Sequence, residues 1–458
     1  MADEPVTKGW LGRFPMPWLG AAGAFVGVIL CLAAPQVHAI PSYARQTGAS
    51  CASCHVGAYG PQLTPFGMRF KISGYADSDG QGTKVPLSAM MLGSWTRTDK
   101  AQSSKAGKHE GRNDNAALNE ASAFLAGRLM DHAGTFTQVT YSDIERQTAL
   151  DTTDTRYALP LTIGGKDAIL GIAVNNDPGV TDPFNRPWHV LPSSELSPGM
   201  AAAPMLFGAL GQQVGGASIY GFLDDSWYAE AGGYHSLSHD TLHALGEGDD
   251  LGRTHGLIGN WRLGYLRDWH KQNVEAGLFG LDMDVQPHRL GGPSDKYRDL
   301  GAELAYQFLG TRRHIVTASS SFIHEHQMLD GSHELGEVGN RAKYIDAFNL
   351  NASYFFQQTY GLEAGYFNRS GSHDAMLYAP HTDSGSRLGS PNSAGYVIQA
   401  DWTPWGKDDS WLSPWANLRL GIQYLMYSKF NGARHDYDGF GRRADDNNTL
   451  YLFAWTSF

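Results

Sequence analysis

The chain has three cysteines in 458 residues, so no disulfide framework can carry its fold. It has one long apolar run, Leu19 to Ala34, and nothing like it recurs. That run is shorter than the ~20 residues a membrane helix needs. Lys8 and Arg13 ahead of it, and the small-residue site Val37-His38-Ala39 behind it, read as a secretory signal spanning 1–39 and cut after Ala39. No helical membrane anchor is then expected. Cys31 leaves with the signal, and its flank Val28-Ile29-Leu30 lacks the small residues a lipid-attachment site wants, so Cys51 and Cys54 stand alone. Helical periodicity is scarce, and no low-complexity tract occurs. Basic residues are in deficit, 35 against 46 acidic, for a net charge of −11. This balance argues against a nucleic-acid partner and suits a cationic ligand or plain solubility.

What the chain does have is glycine, 55 residues or about 12% against an ordinary ~7%, and an aromatic content of 12%. From Leu87 onward a pattern recurs: about ten residues of alternating character with aromatics near the ends, then a break. It predicts sixteen strands, at 87–97, 118–130, 134–143, 156–163, 167–174, 215–223, 226–235, 255–267, 272–284, 297–309, 313–325, 345–357, 361–371, 393–403, 414–428 and 448–458. Short breaks such as Asp131-His132-Ala133, Gly164-Gly165-Lys166 and Asp224-Asp225 alternate with long ones rich in Gly, Asp, Ser and Asn. Short turns at one end and long loops at the other is the layout of a transmembrane β-barrel in an outer membrane. Only a closed barrel or a helix satisfies backbone polar groups in lipid. The expected fold is therefore an all-β, 16-stranded antiparallel barrel over 87–458, surrounded by outer-membrane lipid, with both ends in the periplasm and the long loops extracellular. The alternative is a soluble β-sandwich. The chain closes on an aromatic, Phe458, although Tyr451, Phe453 and Trp455 alternate out of register with it.

The segment 40–86 holds "CASCH", Cys51 to His55, the C-x-x-C-H pattern of covalent haem c attachment. Two thiols at this spacing match the two vinyl groups of the macrocycle, and the adjoining imidazole becomes an axial ligand to the haem iron. A structural zinc would lack its fourth ligand, and a thioredoxin-like pair would lack its βαβ context; a plain disulfide stays open. Thr64 as N-cap, Pro65 at the first position and Gly74 past the end predict a short helix, with Phe66 and Phe70 on one face as haem-packing residues. So short a segment cannot wrap a haem alone, and the barrel lumen is expected to shield it as the segment plugs the lumen.

"YARQTGASCASCH", "LTPFGMRFKISGY", "PLSAMM" at the first strand and "GIAVNNDPGVTDPFNRPW" together resemble the fused monohaem cytochrome-porin family of iron-oxidising bacteria. The resemblance covers the mature chain in layout but only these stretches in motif. It implies a barrel with one haem at its periplasmic end, passing electrons from an extracellular reductant, Fe(II) in members of the family, to a periplasmic c-type cytochrome. Met68 departs from the family helix, where a basic residue is expected, which leaves the sixth iron ligand among Met68, Met90 and Met91, with His109, His132 and His189 as weaker rivals. Asn175 to Trp188 reads as a turn-rich loop that begins the longest connection and is able to fold inward. The loops Asp284 to Asp295 and His324 to Gly339 carry acids that attract hard cations. The main expectation is an electron-transfer protein with iron oxidase character. The alternatives are a diffusion porin with a structural haem segment and a haem peroxidase-like enzyme.

Overall fold

In a computed structural model, residues 42–82, 84–407 and 409–458 are described; the signal expected at 1–39 lies outside them. Sixteen long strands form one antiparallel sheet: β1 (Leu87–Thr98), β2 (Asn115–Met130), β3 (Ala133–Ser142), β4 (Gln147–Ile163), β5 (Lys166–Asn175), β6 (Val214–Leu223), β7 (Trp227–Ser236), β8 (Ile258–Asp268), β9 (Gln272–Gln286), β10 (Asp295–Phe308), β11 (His314–Leu329), β12 (Ala342–Phe356), β13 (Tyr360–Gly371), β14 (Ser393–Trp402), β15 (Asn417–Lys429) and β16 (Thr449–Ser457). A two-residue strand, Arg253–Thr254, pairs with the outer end of β9. β1 pairs with β2 on one side and β16 on the other, so the barrel closes and no edge remains.

The alternation of side chains explains the wall. On β5 Leu170, Ile172 and Val174 point outward, and on β10 Leu300 and Leu304 do, while Asp299, Glu303 and Gln307 on the same strand point into the lumen. Trp227, Tyr265, Tyr306, Tyr354, Tyr360 and Trp402 gather outward near the short-turn end as an aromatic girdle. The ending also resolves: Tyr451 and Phe453 face the lumen, whereas Leu452 and Ala454 face out in the parity of Phe458.

Short turns use residues held at positive φ, among them His132, the pair Asp224-Asp225, His270 and the pair Gln357-Gln358. Two connections differ from the expected alternation. β3 and β4 meet over residues 143–146, because β4 begins nine residues earlier than expected. Its polar stretch "QTALDTTDT" looks like loop but is strand, since one of its faces meets a polar lumen. Conversely, the connection 403–416 lies on the short-turn side yet is long, and it holds the N-terminal segment: Ala52 N donates to Gly406 O at 2.9 Å.

Candidate functional site

Among the described residues, three α-helical pieces and one 3-10 turn (Val56–Ala58) precede β1, the helices being α1 (Ser42–Thr47), α2 (Cys51–Cys54) and α3 (Pro65–Ile72). Thr64 caps α3 through its side chain, which accepts from Gly67 N. Gly67 is required there, because a Cβ would lie 2.4 Å from Cys54 O. The segment is bonded to inward-facing wall residues all round. Gln307 Nε2 donates to Leu63 O at 2.9 Å, Asn417 Nδ2 to Ala58 O at 2.7 Å, and Tyr220 OH to Ile72 O at 2.8 Å. Arg419 donates to the carbonyls of Gly57 and Tyr59, and Tyr75 OH donates to Asp154 at 2.6 Å.

Cys51 and Cys54 share one helical turn and are both free thiols. Burial pushes them up to about 11 and about 12, so neither is a ready nucleophile. His55 follows with its ring pulled down to about 4 by burial and then by Arg419, which keeps the imidazole neutral. Its Nδ1 is buried without a hydrogen-bond partner. Two free thiols and a neutral imidazole are a donor set that fits covalent haem c. The other expected residues scatter. Phe70 is buried against Tyr43 and Tyr75, while Phe66 is 48% exposed. Met68 is fully buried in a cluster with Ile72, Phe184 and Tyr220. Met90 faces inward, where its sulfur accepts from Trp455 Nε1 at 2.9 Å, and Met91 faces out. His109 and His132 lie in connections, and His189 meets Ser193 at 3.2 Å.

The longest connection between strands, 176–213, also enters the lumen. Asp177 accepts from Gly179 N, and Asp182 accepts from Phe184 N and Arg186 N, so short polar turns set its course. It runs inward and bonds to distant parts of the wall. Arg186 Nη2 lies 3.0 Å from Asp182, 3.0 Å from Glu275 on β9 and 2.8 Å from Glu303 on β10, and Arg262 on β8 pairs with Glu303 as well. Further along, the backbone N–H groups of Met205 and Leu206 donate to Glu325 and Asp299 at 2.6 and 2.9 Å. Gln399 and Gln423 donate to the carbonyls of Leu191 and Pro192, and Thr96 meets Ser194 at 2.7 Å. The loop thus contacts strands from opposite sides of the barrel. From below, Lys71 of α3 donates to Val180 O and Asp182 O at 2.6 and 2.8 Å and also to Asn185. Burial, then Arg156, pulls this amine down to about 7 against the attraction of Asp154, Asp182 and Glu230.

Neither Lys71 nor Arg186 nor their wall partners stood out in the sequence. The available signal was charge at lumen parity: Glu275 between Val274 and Ala276, and Glu303 between Ala302 and Leu304, each carry an acid where outward neighbours are apolar. Asp182, Glu275 and Glu303 are the group of three carboxylates, among the described residues, close enough to share a metal ion, but Arg186 and Arg262 already occupy them.

No family model and no curated protein matches the chain. Among solved structures it is similar to the outer-membrane channel DcaP of Acinetobacter baumannii (10% identity, TM-score 0.46, 84% of this chain and 99% of that one). It is similar also to OmpT of Vibrio cholerae (9%, 0.41, 81% and 97%) and to an anion-selective porin from Comamonas acidovorans (10%, 0.42, 81% and 99%). The chain is a closed 16-stranded antiparallel β-barrel. The expectation of an electron carrier from Fe(II) to a periplasmic cytochrome is corrected here. Among the described residues the one carboxylate group of metal-holding geometry is closed by arginines. Electron transfer and iron oxidation give way to a closed β-barrel with a polar, charge-paired lumen.

Proposed function

We propose that this chain is a porin-type channel whose lumen is narrowed from within by the loop 176–213 and plugged at its periplasmic end by the segment 42–86, in which Cys51, Cys54 and His55 hold a structural, covalently bound haem c. The observation that carries the channel reading is the contrast across the wall: apolar side chains outside, charge-paired and hydroxyl side chains inside, with a charged loop bonded across the interior. A polar lumen of this kind suits water-soluble solutes. Bound haem would supply a rigid apolar mass, and this chain's own part is to fix it through two thiols and to present a neutral His55 ring.

Purified protein in planar bilayers is expected to give small, uniform conductance steps. Absence of steps from barrels that still migrate differently before and after heating overturns the channel. For the haem, denatured wild type is expected to keep its haem stain, and Cys51→Ala with Cys54→Ala to lose it while the conductance steps persist. Stain that washes out of the wild type in denaturant sinks this part independently.

A further inference from the structure

The inward loop is held from two sides. Arg186 fixes it to the wall at Glu275 and Glu303, and its turn at 180–186 rests on the segment 42–86. There Leu63 N donates to Phe184 O at 2.9 Å, and Phe184 is buried in one cluster with Met68 and Ile72 of α3. Lys71 of α3 donates to Val180 O at 2.6 Å, to Asp182 O at 2.8 Å and to the Asn185 side chain. An ammonium carries three N–H donors and accepts nothing, and here each acceptor belongs to the loop. Among the described residues Lys71 Nζ has no hydrogen-bond partner in its own segment or on the wall.

That division makes each obstruction depend on the other. Withdrawing either part alone breaks every one of these bonds and exposes Met68, Ile72 and Phe184 to lumen water. Hydrogen bonds from a charged donor are the strong ones, and the exposed apolar surface adds to their loss. Moving both parts together breaks none of them. Each part also has its own anchor on the wall, since Arg156 donates to Val180 O at 3.2 Å and Tyr220 to Ile72 O at 2.8 Å, so the direct link between them is what makes their positions one variable. We infer that the segment 42–86 and the loop 176–213 form one gate, latched by Lys71, in which each holds the other inside the lumen. The inference rests on reading the lumen as a solute path and adds how that path is kept narrow.

The test is hydrogen exchange read by mass spectrometry on the full chain in detergent, followed over peptides from 63–75 and 180–190. Arg186→Ala strikes the loop at the wall without touching α3, and is expected to speed exchange in 63–75 as well as in 180–190, about tenfold in each. Lys71→Met is expected to speed exchange in 180–190 by a like factor, because coupling between two parts is reciprocal. Asp374→Asn, in the outer loop, controls for general loosening and is expected to change neither peptide. Exchange that quickens only in the part carrying the substitution makes the two obstructions independent and overturns the gate, as does an equal change with Asp374→Asn. In planar bilayers Lys71→Met is expected to enlarge the conductance step toward that of Arg186→Ala, and the double variant to add nothing to the larger single effect; unchanged steps in Lys71→Met overturn the latch. Should either variant lose heat-dependent gel migration, the other decides alone. Coupled exchange in a wild type that gives no steps removes the channel and keeps the link; steps with uncoupled exchange do the reverse.

Discussion

The loops 176–213 and 372–392 leave the barrel from the same end and share a composition rich in Pro, Gly, Ser and Asp, yet one crosses the lumen and the other stays at the rim. The difference is in their partners. The first loop finds acids and amides on the inner wall, at Glu275, Glu303, Asp299, Glu325, Gln399 and Gln423. The second finds other loops: Asp374 accepts from the N–H groups of Gly339 and Asn340, Asp383 from Ser103, and Ser386 donates to Asn431 O. A loop's composition makes it soluble and turn-rich, while the position of its counter-charges decides whether it enters. Buried charges that meet no partner cost several kcal/mol, so Arg186 has one low-energy place to be.

The sharpest break of this contrast is Arg186→Ala, which removes the ion-pair partner of Asp182 and Glu275 and leaves Glu303 to Arg262 alone. A cost of about 3–5 kcal/mol is expected, read as a lower midpoint in heat-dependent gel migration, with larger conductance steps as the loop leaves the lumen. Asp374→Asn strikes the outer loop instead. It should cost about 1–3 kcal/mol locally, so that protease on whole cells cuts 372–392 faster while the conductance steps stay those of wild type. Unchanged proteolysis, or a changed conductance, would mean that the two loops are coupled.

Acid separates the loops more gently. Burial works to raise the Asp182 carboxyl, but Arg186 and then Arg262 outweigh it and hold it well below the ordinary range. A depressed carboxylate contributes stability above its unfolded value of about 4 and loses it as pH falls further. The Arg186–Asp182 part of the loop's stability is therefore expected to last down to about pH 4 and to be lost below it, read as a rise in conductance there that Asp182→Asn abolishes. The smallest effect belongs to Gln423→Leu, which removes a single 2.7 Å bond to Pro192 O and one to Gln399. A loss of about 1 kcal/mol is expected, with a slight broadening of the conductance distribution.

Much of the barrel was legible because an apolar outer face and a polar inner one impose alternation along the strands. Leu170-Gly171-Ile172-Ala173-Val174 can be read directly, and so can the paired residues of tight turns such as Asp224-Asp225. The start of β4 was not legible, since "QTALDTTDT" alternates between two polar environments and leaves no hydrophobic period. The C-x-x-C-H motif was legible as a donor set, and the structure places its cysteines on one turn followed by a neutral imidazole whose Nδ1 has no hydrogen-bond partner. Met68, Met90 and Met91 were all candidates for the sixth ligand, with Met90 or Met91 preferred, and occupy three different environments.

The sequence by itself determined the strand count, the sidedness of the connections and the outward apolar surface, because these follow from periods of two and from local turn chemistry. Only the tertiary structure decided what fills the lumen. Arg186 meets Glu275 and Glu303 some ninety and more positions away. Such pairings depend on which residues the closed sheet brings to the same height in its interior, and closure is a property of all sixteen strands at once.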